Sequence, residues 1–129
     1  MATTFNGFTV TADTITTPSG RVIDLANVAD DTRGKRARMR FNHRMTYVYR
    51  AVMCVILGVK RIPSTLDVHH INLNRHDCRP CNLALMSKEN HRRAHELADE
   101  IACAIVNGTD YETPKAAYLE FIKMHAATI

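Results

Sequence analysis

The sequence predicts an α+β fold, with short strands in the first third of the chain and helices prominent in the rest. Three observations predict it. Apolar and polar residues alternate over short runs up to Phe41, the period of a half-buried strand. Further on, apolar residues recur at spacings of three and four, the period of a helix packed on one side. Between the helical stretches, two strand-like segments bracket a polar loop, and five of the seven histidines fall from His69 to His95. That concentration directs the search for chemistry, because imidazole is the commonest metal ligand and titrates nearest neutrality.

Composition narrows the class. A length of 129 residues suits one domain with a modest core. An apolar fraction of 46% and a charged fraction of 23% are ordinary for a soluble globular protein. No apolar run approaches the roughly 18 residues of a membrane span. The start, MATTFNGFTV, lacks the basic-then-apolar pattern of a secretory signal, so a cytoplasmic protein with no membrane partner is expected. The net charge of +4 is mild, but its distribution is uneven. Arg33, Lys35, Arg36, Arg38, Arg40 and Arg44 fall within twelve residues with no acid among them. Such a block attracts a nucleic-acid backbone through phosphate neutralisation and counterion release; the alternative is a solvated loop or a strand with one charged face. Four cysteines in a cytosolic chain argue against disulfides. Cys78 and Cys81 have the spacing of half a zinc knuckle without a second pair, and an Arg-Pro turn between two small residues is the simpler reading.

Taken in order, Gly7 to Thr11 reads as a strand, Pro18-Ser19-Gly20 as a turn and Arg21 to Leu25 as a second strand, together a small hairpin or loosely docked arm. Ala37 to Phe41 reads as a strand with Arg38 and Arg40 on one face, Met39 and Phe41 on the other. A helix is predicted from Arg44 to Leu57, with Asn42 as its N-cap and Gly58 at its end. Leu66 to Ile71 and Asn82 to Met86 read as strands around the polar loop 72–80. Ser87 is a good N-cap for a helix running to about Val106, which Asn107-Gly108 stops. Thr113-Pro114 is predicted to open a last helix, with Tyr118, Phe121, Ile122 and His125 on one face.

Strand, loop, strand, helix makes a hairpin with a helix across it. His69 and His70 are adjacent in a strand and so point to opposite faces. His91 and His95 are four apart on a helix, share one face and can bind one ion together. One strand imidazole plus this pair makes a three-ligand site with open positions, the mark of a catalytic rather than a structural metal.

The pattern HH-x(11)-N-L-x(7)-H-x(3)-H, built on His69, His70, Asn82, Leu83, His91 and His95, resembles the HNH endonuclease motif of the ββα-metal nucleases. Residues 50–96 are similar to its phage-type, homing-endonuclease-like branch, in Leu57-Gly58, the Pro-containing loop, the Val68-His69-His70 strand and the Arg79-Pro80 run into Asn82-Leu83. The resemblance implies a ββα-metal core at 66–106 and does not cover residues 1–42 or 100–129; the expected division is a β-rich arm with a basic segment at 1–42 and a nuclease domain at 43–129. The same resemblance implies His70 as the general base that activates water and Asn82 as the brace of the loop that orients it. It also implies His69 and His91 as metal ligands, with His95 matching the further ligand of His-rich members. The loop departs from the usual pattern: Asn72-Leu73-Asn74 stands where an Asp-Gly-Asn turn is common, and Cys78 and Cys81 replace polar residues.

The expected activity is therefore metal-dependent hydrolysis or nicking of DNA, in the host cytosol if a phage encodes the chain. Arg75, Arg79, Arg92 and Arg93 would join Arg33, Lys35, Arg36, Arg38 and Arg40 as DNA contacts. One divalent ion is implied; three imidazoles favour nickel or zinc, whereas cellular abundance favours magnesium or manganese. Cutting both strands would need a homodimer or two visits. Two rivals stand beside this reading. One is a phage module that binds DNA or a host protein through a non-catalytic HNH fold; the other is a structural zinc domain built on Cys78 and Cys81.

Overall fold

The computed structural model describes residues 2–127. Its first four strands, β1 (Thr3–Phe5), β2 (Phe8–Val10), β3 (Thr14–Thr16) and β4 (Val22–Asp24), form an antiparallel meander. Phe5 pairs with Phe8 across Asn6 and Gly7, which both take positive φ, 50° and 83°. This is the two-residue turn whose twist matches the strands it joins. At Gly7 a Cβ would lie 3.0 Å from the Pro18 ring, so a side chain there would press that ring aside as well as strain the backbone.

The same device recurs further on. β5 (Arg38–Phe41) and β6 (Arg44–Tyr47) pair antiparallel, with Phe41 opposite Arg44. Asn42 and His43 between them have φ of 50° and 65°. Asn42 is thus a hairpin turn rather than the expected N-cap, and residues 44–47 are strand rather than helix. A short apolar-spaced run satisfies either period, and here the turn and its partner strand decide. The helix α1 occupies Val48–Leu57 and closes on Gly58 in the left-handed conformation, as predicted. The two hairpin turns meet, with Asn6 Nδ2 donating to Asn42 Oδ1 at 3.1 Å.

β7 (Leu66–His70) and β8 (Leu83–Ser87) pair antiparallel around the loop, which ends in a 3-10 turn at Pro80–Asn82. Ser87 caps the long helix α2 (Lys88–Asn107), its Oγ accepting from Asn90 N. A final helix, α3 (Glu112–His125), starts before the expected Thr113 cap. Tyr111 is its N-cap, and Asp110 just before it accepts from the Glu112 amide and the Thr113 hydroxyl.

The β7–β8 hairpin is covered on both faces, so no residue of either strand is exposed. Val68, Leu83 and Leu85 face a core shared with α1, with Phe8, Ile15 and Phe41 of the earlier strands, and with Leu25 just after β4. Ala84 and Met86 face a second core with Ala94 and Leu97 of α2 and Tyr118 and Ile122 of α3. α1 has buried residues around most of its circumference, as a helix between two layers must.

Of the small hairpin or loosely docked arm expected at the start of the chain, the structure has the paired strands, extended to four, with the segment after them tied into the β7–β8 loop. Val28 N donates to His76 O and Cys78 N to Leu25 O, at 2.7 and 2.8 Å, and Asp30 accepts from both Arg75 and His76. None of the described helices is long and apolar enough to cross a membrane.

Candidate active site

Strand alternation separates the two adjacent histidines as expected. His69 lies on the α2 side of β7, its ring centroid 5.1 Å from that of His91 and 5.0 Å from that of His95. His70 lies on the α1 side, edge-on to the Tyr49 ring at 4.9 Å. One ring nitrogen from each of His69, His91 and His95 lies within 4.8 Å of the other two. Among the described residues this is the one group of three or more such side chains placed to hold a metal ion.

Hydrogen bonds determine which nitrogens are free. Tyr118 Oη is 2.6 Å from the Ile71 carbonyl and 2.7 Å from His69 Nε2. A carbonyl can only accept, so the phenol proton goes to Ile71 and the phenol oxygen accepts from His69 Nε2–H. His69 is therefore left with its lone pair on Nδ1, which is buried and has no partner. His91 is oriented in the same way: Nδ1–H donates to Asp67 at 2.9 Å, leaving the lone pair on Nε2. That atom stands 3.2 Å from His95 Nε2. Metal-binding histidines ordinarily use one nitrogen for the ion and give the other to a carboxylate, a carbonyl or another polar group. The buried, unpartnered Nδ1 fits an ion better than it fits a packing role, since an unsatisfied buried acceptor costs on the order of 1–3 kcal/mol.

Electrostatics agree. Burial, then the neighbouring His91, His95 and His70, push His69 down to about 4. Burial, with His91 beside it, also lowers His95. Neutral imidazole is the form that ligates. For Asp67, burial opposes ionisation, but hydrogen bonds from Lys88 and His91 prevail and hold it below the usual carboxylate range.

His70 Nε2 is likewise buried without a partner. Burial and the Arg36 guanidinium push this imidazole to about 4, with His91 adding to the effect and Asp77 opposing it. Arg36 donates to Tyr49 Oη at 3.2 Å, so a cation and a phenol stand beside His70.

Asn82 organises the loop. Its Oδ1 accepts from Asn72 N, and its Nδ2 donates to Asp77 O and Asn72 Oδ1, all between 2.8 and 3.0 Å. Its carbonyl takes Ile71 N. Leu73 has a φ of 67° where the family pattern commonly places glycine.

Comparison with known families fits this geometry. Residues 60–93 match the family described as HNH endonuclease. The chain carries an HNH endonuclease motif. No curated protein and no solved structure matches the chain. The HNH match takes in His69, His70, Asn82 and His91 and ends before His95 and Tyr118; helix spacing links His95 to His91, whereas the phenol is placed by the fold alone.

The remaining expected residues are dispersed. Arg33 pairs with Asp31, Arg75 with Asp30, Arg79 with Asp77 through two bonds, and Arg93 with Glu96. Lys35, Arg38, Arg40 and Arg92 are exposed. Only Arg36 of the basic block is brought against His70. Cys78 is buried, its thiol pushed up to about 11 by burial, and Cys81 is exposed; neither joins the imidazole cluster.

Sequence reasoning missed Asp67, Tyr49 and Tyr118 as site residues. Asp67 had a usable signal, since it lies two residues before His69 and so on the same strand face. Tyr118 had none beyond its place on an apolar helix face.

Proposed function

We propose that this protein is a metal-dependent HNH endonuclease that hydrolyses DNA phosphodiester bonds. The observation that carries the reading is the pair of buried, unpartnered imidazole nitrogens on adjacent residues, one facing two further histidines and the other facing Arg36 and Tyr49.

His69, His91 and His95 would hold one divalent ion, through Nδ1 of the first and Nε2 of the other two. When bound, such an ion supplies Lewis-acid stabilisation of the charge that develops on the phosphate and the leaving oxygen. Nitrogen donors favour nickel or zinc, and magnesium or manganese would have to complete their shells with oxygen from water and substrate.

The chain's own groups would do the rest. His70 takes the proton from the attacking water. It is neutral at physiological pH and therefore able to accept. With a value of about 4 it is a weak base in the free protein, but an incoming phosphate raises it, because a nearby anion stabilises imidazolium. Arg36 draws the phosphate toward His70. Asn82 keeps the loop that follows His70 in a single conformation, which limits the freedom of the base.

Nicking of supercoiled plasmid with added magnesium, manganese, nickel or zinc, and its loss on chelation, tests the activity. His70→Ala should lower the cleavage rate by about 10²- to 10⁴-fold, the usual contribution of a general base. It should leave metal and DNA affinity unchanged. Wild-type cleavage in His70→Ala would remove His70 from the reaction, and absence of nicking with every metal would overturn the activity itself.

A further inference from the structure

Away from the histidine cluster, basic side chains collect around a groove of about 480 Å³ between the β5–β6 hairpin, α1 and the segment entering β7. Arg38, Arg44, Arg50, Lys60 and Arg61 line it. Among the described residues, none of the five forms an ion pair. The acid in the lining, Asp67, is already bonded to Lys88 and His91. Five uncompensated cations around a concave surface attract a polyanion.

One wall of the groove is aromatic. Tyr47 keeps 41% of its surface exposed. Its ring lies nearly parallel to that of Tyr49, with centroids 5.7 Å apart and planes 12° apart, and Tyr49 in turn meets His70. The stack leads from the groove directly to His70. Cations that track a backbone beside an exposed ring form the combination that binds unpaired nucleotides, since every base has a face to stack. Bases in a duplex hide their faces and offer only edges, which are read by hydrogen-bonding side chains. Beside its cations the groove presents the exposed face of Tyr47 and the Met45 side chain, surfaces on which a base can stack.

We propose that this groove seats an unpaired nucleotide of the substrate strand next to the scissile phosphate, its base on Tyr47 and its phosphate held by Arg44, Lys60 and Arg61. The inference rests on the reading of the site as a DNA nuclease and specifies the substrate: DNA with single-stranded character beside the cut.

Binding of the full chain, measured with chelator present so that no strand is cut, tests it. Fluorescence anisotropy would compare a blunt duplex, the same duplex with a short single-stranded gap, and the single strand alone. The gapped duplex and the single strand should bind about five-fold or more tighter than the blunt duplex. Tyr47→Ala should weaken these two by about 5- to 150-fold, the range of one base–aromatic stack, and leave the blunt duplex unaffected. Tyr47→Phe should restore the preference and Tyr47→Leu should not. Arg61→Ala should lower the salt dependence of single-strand binding by about 0.7 in log–log slope. Equal affinity for blunt and gapped DNA, or a preference that survives both Tyr47→Ala and Tyr47→Leu, would overturn the proposal. The two readings separate cleanly. Plasmid nicking without a preference for unpaired DNA removes the groove and keeps the nuclease. A Tyr47-dependent preference without cleavage under any metal does the reverse.

Discussion

At the scale of single residues, Tyr118 shows how one hydroxyl can select a tautomer twenty-odd positions beyond the nearest other cluster residue. Its proton is committed to the Ile71 carbonyl, so its oxygen requires a proton on His69 Nε2. Tyr118→Phe removes that acceptor and releases the ring to flip or to exchange tautomers. Metal affinity should fall about 10- to 100-fold, as for other partners of metal-bound histidines, measured by titration calorimetry. Nitrogen chemical shifts of His69 should show mixed tautomers in the metal-free variant; a single Nε2–H tautomer there would show that Tyr118 is dispensable. Phe fills nearly the same space, so the core around Ile122 should hold. Leu73 is a residue of the opposite kind. Its φ of 67° is unfavourable for a branched side chain, by about 1–2 kcal/mol. It is held there by the Leu73 amide on His70 O and by the Asn72 and Asn74 side chains on the following amides. Its side chain is about half exposed. Leu73→Gly should therefore raise the urea midpoint, with a gain of up to about 1 kcal/mol after glycine's entropy is set against the relieved strain. A lower midpoint would mean that the Leu73 side chain contributes packing that exceeds its backbone cost.

At the scale of elements, the loop between β7 and β8 depends on one buried amide. Asn82 uses both its oxygen and its nitrogen on loop groups. Asn82→Asp keeps the acceptor for Asn72 N but turns the donor toward the Asp77 carbonyl and Asn72 Oδ1 into another acceptor. It should destabilise by about 2–3 kcal/mol, the cost of leaving buried polar groups unpaired, and lower cleavage through misplacement of His70. Thermal melting and plasmid nicking, measured on the same preparation, should fall together. The resemblance of the sequence to the HNH motif implied this role. The hairpin β5–β6 was not readable in the same way. Met45 and Val48 suit a helical stripe, and only the pairing of Arg44 with Phe41 across Asn42 and His43 makes residues 44–47 a strand. Local periodicity cannot report a partner strand, so the helix was predicted four residues too early.

At the scale of the whole molecule, two buried neutral histidines make stability pH-dependent. In the unfolded chain each ring takes up a proton near pH 6.5, whereas the folded rings do so near 4. Between these values the unfolded state binds more protons, so stability rises with pH. The contribution is complete above about pH 6.5 and is lost as the pH falls toward 4. In the metal-free protein the loss should be on the order of 3 kcal/mol per ring. Urea unfolding from pH 7.5 to 4.5 with chelator present checks it. A midpoint that does not change over that range would mean that the rings are not held neutral. His69→Gln with His70→Gln should flatten the slope.

The sequence by itself determined that His69 and His70 face apart and that His91 and His95 share a helix face. These follow from the periods of strand and helix, which are local; the part of Asn82 in the loop was implied by the resemblance to the HNH motif. The tertiary structure decided what surrounds them. It brought Tyr118 of α3 and Asp67 of β7 onto the imidazoles and selected their free nitrogens. It also set Arg36 and Tyr49 against His70, and bonded Arg75 and Arg79 to acids instead of leaving them free. Each of these is a contact between segments far apart in the chain or a competition between partners for one side chain. Residue order fixes neither until the layers have packed.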